Sequence, residues 1–447
     1  MFGKKTMFGK RTMFSKRTMF GKNTFSQKPF GNTTLTAKSH SKKTLSRLLL
    51  AAGLACSMAS QAADLVIAGR DDVYGKALDS TLARFQQQHP GKQIELLKLP
   101  YANLYEKLVI SLRENASAYD LMLMDDSWSP EFAGNGWIQP LPDSLQSSDF
   151  IPAVLNVSRV PENGGPVYSL PVVGNVAMFA YRQDLFDKHQ LKAPASWDAV
   201  LSDAKTLQQQ EPSVSGVVFR GMKGNPIVSG FMPMLWAYGG NVITNGKASL
   251  DSPQALQALN TLKALKAFAP TGVEVYNAAD VRQAMEQGKA AMAIEVWPAW
   301  ASTLDDAAKS KVVGNMTLQP APGQNAGPSP MLGIWQMAVA KNSQHSELAQ
   351  QFLSYLTSAE NQKALALELG LPPTRRSVYQ DAQVVQKYRW YPAQLAALEA
   401  GKARPRIRNW QEVESILGDY LQLALMDQMP AQVALQQANQ KIAQVLK

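Results

Sequence analysis

Short unbroken apolar runs alternate with helical periodicities from residue 65 onward. Leu65-Val66-Ile67-Ala68, closed by Gly69, predicts a buried strand, and residues 94–99 predict a second. Between them Leu78, Leu82 and Phe85 share one helical face, and His89-Pro90-Gly91 stops that helix. Leu104, Leu108 and Leu112 mark another helix. Leu121-Met122-Leu123-Met124 is apolar at every position, as expected of a central strand covered on both faces. This β-α-β-α-β order predicts a parallel sheet clad in helices.

The pattern then restarts. Residues 176–181 predict a strand, and Ser196-Trp197-Asp198 opens a helix with a hydroxyl cap and an early acid. Val217-Val218-Phe219 and residues 290–294 predict further strands, with a helix over 281–287 closed by Gly288. A Pro/Gly-rich stretch at 320–330 interrupts the chain. A strand over 336–340 and helices over 346–356 and 359–369 follow, the last ended by Gly370. Val413, Ile416, Leu417, Tyr420 and Leu421 line one side of a C-terminal helix. The expectation is two α/β lobes joined by several crossings. In open parallel sheets ligands sit beyond the carboxyl ends of the strands. Two such sheets facing each other make a cleft that closes by hinge bending.

The N-terminal segment has a different character. Lys42, Lys43 and Arg47, the apolar run 48–55 and the small residues ending at Ala62-Ala63 have the layout of a secretory signal. The apolar run is far short of the ~20 residues of a membrane span. Before it, Met-Phe-Gly-Lys or Met-Phe-Ser-Lys recurs at Met1, Met7, Met13 and Met19, a basic repeat with no means of burying a core. We expect translation to begin further downstream, or else an unusually long basic n-region. Residues 1–62 are taken as leader, with export to a Gram-negative periplasm expected.

The leader also changes the charge argument. The chain carries a formal +10 at pH 7, which alone would suggest nucleic acid or an anionic membrane. Residues 1–63 hold twelve Lys or Arg and no acid; removing them from the 45 basic residues leaves 33 against 35 acids. No nucleic-acid partner is expected. The single cysteine, Cys56, lies in the leader, so the mature chain would form no disulfide, zinc-thiolate cluster or cysteine nucleophile. Gly53 stands where a lipoprotein signal would place leucine or a similar residue. The mature histidines His89, His189 and His345 are far apart, and no HExxH, Gly-x-Ser-x-Gly or GxxxxGK[ST] motif occurs.

Six segments together carry a resemblance. They are residues 119–128 running on to Gly136-Trp137-Ile138-Gln139-Pro140-Leu141; 168–171 through 181–186; Pro194-Ala195-Ser196-Trp197; Leu235-Trp236-Ala237-Tyr238-Gly239-Gly240; 288–292; and 352–358 through 371–376. In this order they resemble the family 1 extracellular solute-binding proteins, the maltose-binding-protein-like receptors of ABC importers, over essentially the whole mature chain. The resemblance implies two Rossmann-like α/β lobes joined by three hinge strands, as in type II periplasmic binding proteins. It implies lobe 1 over 63–172 and 328–372, and lobe 2 over 173–327 and 373–447. It also implies a monomeric receptor without catalysis or cofactor that takes a sugar, oligosaccharide or polyol and docks on permease subunits in the inner membrane.

A sugar presents hydroxyl rims and apolar faces, so its site needs carboxylates, amides or arginines and flat aromatic rings. Arg70 and Asp71 follow the first strand; Asp125 and Asp126 end the third, on opposite sides of it by strand alternation, with Asp125 preferred as the ligand-binding acid. Trp128 is as expected in the core as in the cleft; Trp236 and Tyr238 share one motif, and core packing is the stronger explanation for at least one of them. By resemblance, Asn175 binds a hydroxyl from the first hinge, Trp297 stacks on the sugar beside Glu295, and Gly333-Ile334-Trp335 offers a backbone N–H and an indole. Arg375 corresponds to the family's cleft arginine. Arg70 and Arg375 together would favour an anionic or phosphorylated ligand. An exported carbohydrate-active hydrolase, with Asp125 and Glu295 as its paired carboxylates, is the alternative from another class; a same-fold receptor for a sugar phosphate or metal complex is the nearer rival.

Overall fold

The computed structural model describes residues 63–116 and 118–447; the predicted leader and Cys56 lie outside the described residues. The first strand, β1 (Leu65–Arg70), runs through Gly69 instead of closing there. Gly69 pairs with Lys98 in the ladder, and a Cβ on it would lie 2.5 Å from Leu78 Cδ1. Glycine is needed for the close approach of the next helix, not for a stop. That helix, α1 (Asp72–Gln88), buries the expected Leu78, Leu82 and Phe85. β2 (Ile94–Leu99), α2 (Tyr101–Arg113) and β3 (Leu121–Asp125) follow in the predicted order.

β1 pairs in parallel with β2 and with β3. Two later strands complete this sheet: β4 (Ser169–Val173) and β10 (Trp335–Val339), in the order β2-β1-β3-β10-β4. β10 is antiparallel to both neighbours. The all-parallel expectation fails there because the chain returns from the second lobe at the carboxyl end of β3, where Trp335 pairs with Asp125, and must run back down the sheet. β3, β4 and β10 are buried at every position.

The second sheet has β5 (Met178–Arg182) between β8 (Met292–Val296) and β9 (Met316–Pro320), both pairs antiparallel. A small hairpin, β6 (Ile243–Thr244) with β7 (Lys247–Ala248), stands apart. The strand expected at Val217-Val218-Phe219 is reduced to isolated parallel bridges, Ser215 with Ala290 and Val218 with Ala293. Ser196 caps the helix Trp197–Gln210 as predicted, its Oγ accepting from the Ala199 N–H at 3.1 Å. The helices Ser346–Leu356 and Ala359–Leu369 begin and end where the periodicity placed them.

Each sheet has its own core. Leu65, Leu78, Leu123, Met337 and Phe352 belong to the first. Phe179, Trp197, Phe231 and Trp410 form one layer on the second, and Met178, Ile334, Tyr379 and Tyr391 form the layer on its other side. The chain crosses between the sheets at 174–177, at 321–334 and after the helix Ala359–Leu369. Two crossings press together: the Gly174 N–H donates to the Pro372 carbonyl at 2.9 Å, and a Cβ on Gly174 would collide with the Pro373 carbonyl oxygen.

Candidate functional site

The carboxyl ends of β1 and β3 and the first residue of β10 meet on one rim of the first sheet. They carry Arg70, Asp125 and Trp335. Trp335 is buried against Tyr74 (centroids 5.2 Å), Tyr101 (5.8 Å) and Trp128 (6.0 Å). The Arg70 guanidinium lies 4.5 Å from the Tyr74 ring, 5.5 Å from Tyr101 and 4.9 Å from Trp335. Asp71 caps α1 only through its backbone carbonyl; among the described residues its carboxylate has no partner.

Both acids at the end of β3 turn to the same partner. Asp125 is the cap residue of a single 3₁₀ turn, so strand alternation stops there. Its Oδ1 accepts from the Ser127 N–H (3.0 Å), the Ser127 hydroxyl (2.8 Å) and Arg404 Nη2, and the same Nη2 donates to Asp126 Oδ1 at 2.9 Å. The expectation that the two carboxylates face opposite sides is thus corrected. Asp126 is fully buried and exchanges two bonds with Ile334: its Oδ2 accepts from the Ile334 N–H at 2.6 Å, and its own N–H donates to the Ile334 carbonyl at 3.0 Å. The backbone N–H expected to face a ligand from Gly333-Ile334-Trp335 is therefore taken. Burial pushes Asp126 up to about 6; Arg404 opposes the shift and Asp125 adds to it.

Arg404 is 3% exposed and also approaches Glu414 at 3.9 Å. Burial works against its charge, but Asp125, Asp126 and Glu414 outweigh burial and raise it above the ordinary arginine value. Arg406, two residues on, donates at 2.5 Å to the carbonyls of Asp126 and Val157. The segment between the helices Tyr391–Glu399 and Trp410–Leu425 thus straps the rim of the first sheet to the second lobe.

On the second lobe, Glu295 in β8 is 1% exposed and held by both ends of Arg220: Nε donates to Oε2 at 2.7 Å and Nη2 to Oε1 at 2.6 Å. Arg220 lies 5.8 Å from the ring of Trp297, which is half-buried one residue past the strand. Trp297 packs on Gly333, where a Cβ would lie 2.7 Å from its Cη2 and closer still to Cζ3. Asn175, on the first crossing, spans the gap. Its Nδ2 donates to the Tyr74 hydroxyl at 2.9 Å and its Oδ1 accepts from the Ala299 N–H at 3.1 Å.

Arg70, Asp71, Asp125, Asp126, Asn175, Glu295, Trp297, Gly333 and Trp335 are therefore brought to one region, with Asp126 fully buried beneath it. Three others are not. Trp128 is 1% exposed, behind Trp335 among Tyr105 and Phe132. Trp236 lies inside the helix Asn225–Ala237 in the core of the second lobe. Arg375 donates from Nε to the Thr357 carbonyl at 2.8 Å and lies 3.7 Å over the Phe150 ring, so the pairing of Arg70 with Arg375 does not occur. Sequence reasoning missed Tyr74, Tyr101, Arg220, Arg404, Arg406 and Glu414. Arg404-Pro405-Arg406-Ile407-Arg408 is the one local signal that was available. Volume alone would mislead: a groove of 710 Å³ lined by Phe85, His89, Glu347 and Tyr355 lies on the outside of the first lobe, with none of these converging groups.

Known proteins match this chain over most of its length. A probable ABC transporter-binding protein of Deinococcus radiodurans is 26% identical over 371 residues, covering 79% of this chain and 86% of that protein. A solute-binding protein from Agrobacterium radiobacter K84 in complex with ribitol aligns with a TM-score of 0.79 and 27% identity, covering 85% of this chain and 98% of its own. Maltose-bound MalE3 of T. maritima aligns at 0.78 with 26% identity, covering 84% and 98%. The model of the bacterial extracellular solute-binding proteins matches residues 71–363, and the chain belongs to that family.

Proposed function

We propose that this protein is the periplasmic receptor of an ABC importer that closes two lobes on a sugar or polyol and delivers it unaltered to the permease. One observation carries the reading: carboxylates, arginines and flat aromatic rings from both sheets converge where the chain crosses between lobes. The ribitol and maltose held by the two similar structures support the ligand class. The lobes are 63–172 with 328–372, and 173–327 with 373–447, and the export signal ends at residue 62. Asp125, Asp71 and Arg70 bond hydroxyls from the first lobe. Trp297 and Trp335 lie against apolar sugar faces, Asn175 acts from the crossing, and Glu295 holds Arg220 beside Trp297 on the second lobe. Binding drives closure only by its preference for the closed form. The receptor acts as a monomer, without cofactor and without nucleic acid.

The hydrolase alternative is disfavoured by geometry. Both Glu295 oxygens are occupied by Arg220, so neither reaches a glycosidic oxygen. The test is calorimetric titration of the protein with ribitol, mannitol, maltose and maltotriose, followed by chromatography of the recovered ligand. Binding with intact recovery is expected; cleavage, or no binding across the panel, refutes the reading. Trp297→Ala should weaken binding by about 1–3 kcal/mol, the size of a lost stacking and burial contact. An unchanged affinity removes Trp297 from the site.

A further inference from the structure

The arginines of the cleft region are not equivalent. Arg220 has Glu295, Arg404 has Asp125 and Asp126, and Arg406 has two backbone carbonyls. Arg375 lies elsewhere and has the Thr357 carbonyl. Arg70 alone among these accepts no such compensation: among the described residues no carboxylate or carbonyl lies within hydrogen-bond or ion-pair reach of it. Its Nε is sealed from solvent without an acceptor. The rings of Tyr74, Tyr101 and Trp335 lie around the guanidinium at 4.5, 5.5 and 4.9 Å, and its two Nη groups stay open to solvent, where a ligand can reach them. Asp71 is its neighbour in sequence but not within ion-pair distance.

We infer that Arg70 is a carboxylate-recognising subsite, and that the ligand is the acidic form of a sugar or polyol, an aldonate or similar polyhydroxy monocarboxylate. The inference rests on the reading of the cleft as a carbohydrate site and narrows it. A guanidinium presents parallel N–H groups that match a carboxylate edge, and its aromatic surroundings fix the plane in which the fork lies. Asp71, left without a partner, accepts from a neighbouring hydroxyl of the same ligand. The charge number is one. Arg404 and Arg406 at the rim are already matched, and the groups that follow Arg70 in sequence, Asp71 and the exposed Asp72, are acidic. A dianionic phosphate would find one partner for two charges and meet those acids.

The test compares matched pairs by calorimetry at pH 7.5: D-mannitol, D-mannonate and mannitol 1-phosphate, then ribitol and D-ribonate. A charge-assisted bond that replaces a neutral one predicts that each acid binds about tenfold tighter than its polyol, or more. Arg70→Gln should reduce that ratio to near one, and Arg70→Lys should keep part of it. Thermal melts of both variants without ligand check folding, and if the glutamine variant does not fold the lysine variant carries the comparison. Polyols binding as tightly as their acids, or an acid preference that survives Arg70→Gln, overturns the inference while leaving the carbohydrate receptor intact. A tighter phosphate overturns the single-charge assignment. Failure of every member to bind overturns the carbohydrate reading, and this inference with it.

Discussion

Replacing Arg404 by methionine tests the strap between the lobes. The side chain keeps its length and apolar stem, and three acids lose their common counter-charge. Asp126 is fully buried, Asp125 is 6% exposed and Glu414 is 4% exposed. Removing one partner from a buried ion cluster costs about 3–5 kcal/mol, because the charge left behind has neither water nor a partner. For the roughly 385 described residues, with an unfolding entropy of about 2 cal/mol/K per residue, 4 kcal/mol lowers Tm by about 5 °C. The loss must depend on pH. In the native protein burial already pushes Asp126 up to about 6 and raises Glu414, with Arg404 opposing both. Without Arg404 both rise further. A carboxyl raised in the folded state favours that state while protonated in both, and the advantage is lost as pH rises through the folded value. The variant should therefore lose little stability at pH 5 and most of it at pH 8. Urea melts at the two pH values measure this, and Arg404→Met with Asp126→Asn should recover part of the loss at pH 8. Equal losses at both pH values, or strictly additive effects of the two substitutions, would refute the charge argument.

Further predictions follow from single contacts. Gly333→Ala puts a methyl where the Trp297 ring lies, so ligand affinity should fall by about 1–3 kcal/mol, the usual cost of overpacking; in a Trp297→Ala background the same change should cost almost nothing, and a persisting loss in titrations of the double variant would assign the effect to the backbone. Asp126→Asn removes the group whose ionisation is disfavoured on folding, so the fall in stability between about pH 4 and pH 7 should flatten, read from melts at stepped pH. Arg375→Gln should lower stability by about 1–3 kcal/mol through the lost bond to the Thr357 carbonyl, with ligand affinity unchanged; a selective loss of affinity would return Arg375 to the cleft.

The parts of this protein that could be read from its sequence are those set by near neighbours. The helices Ser346–Leu356 and Ala359–Leu369 appear where expected because apolar spacing, a serine cap at Ser358 and Gly370 in the left-handed conformation agree with one another. The apolar run ending in Asp125 marks the rim of a sheet for the same reason: strand burial and the strand's end are both local properties. What closes the rim is not local. Arg404 meets Asp125 across 279 residues of sequence, and Arg220 meets Glu295 across 75. Nothing around Arg404 distinguishes it from Arg406 or Arg408 beforehand. Likewise a resemblance transfers a position along the chain but not the direction of a side chain. Arg375 sits at the expected place in its motif and turns to Thr357, and Trp128 lies three residues past Asp125 yet packs behind Trp335. A strand end therefore identifies where a ligand can lie, while the set of charges already spoken for by distant partners determines what ligand it can be. That set leaves Arg70 unmatched, and the inference of an acidic solute rests on it.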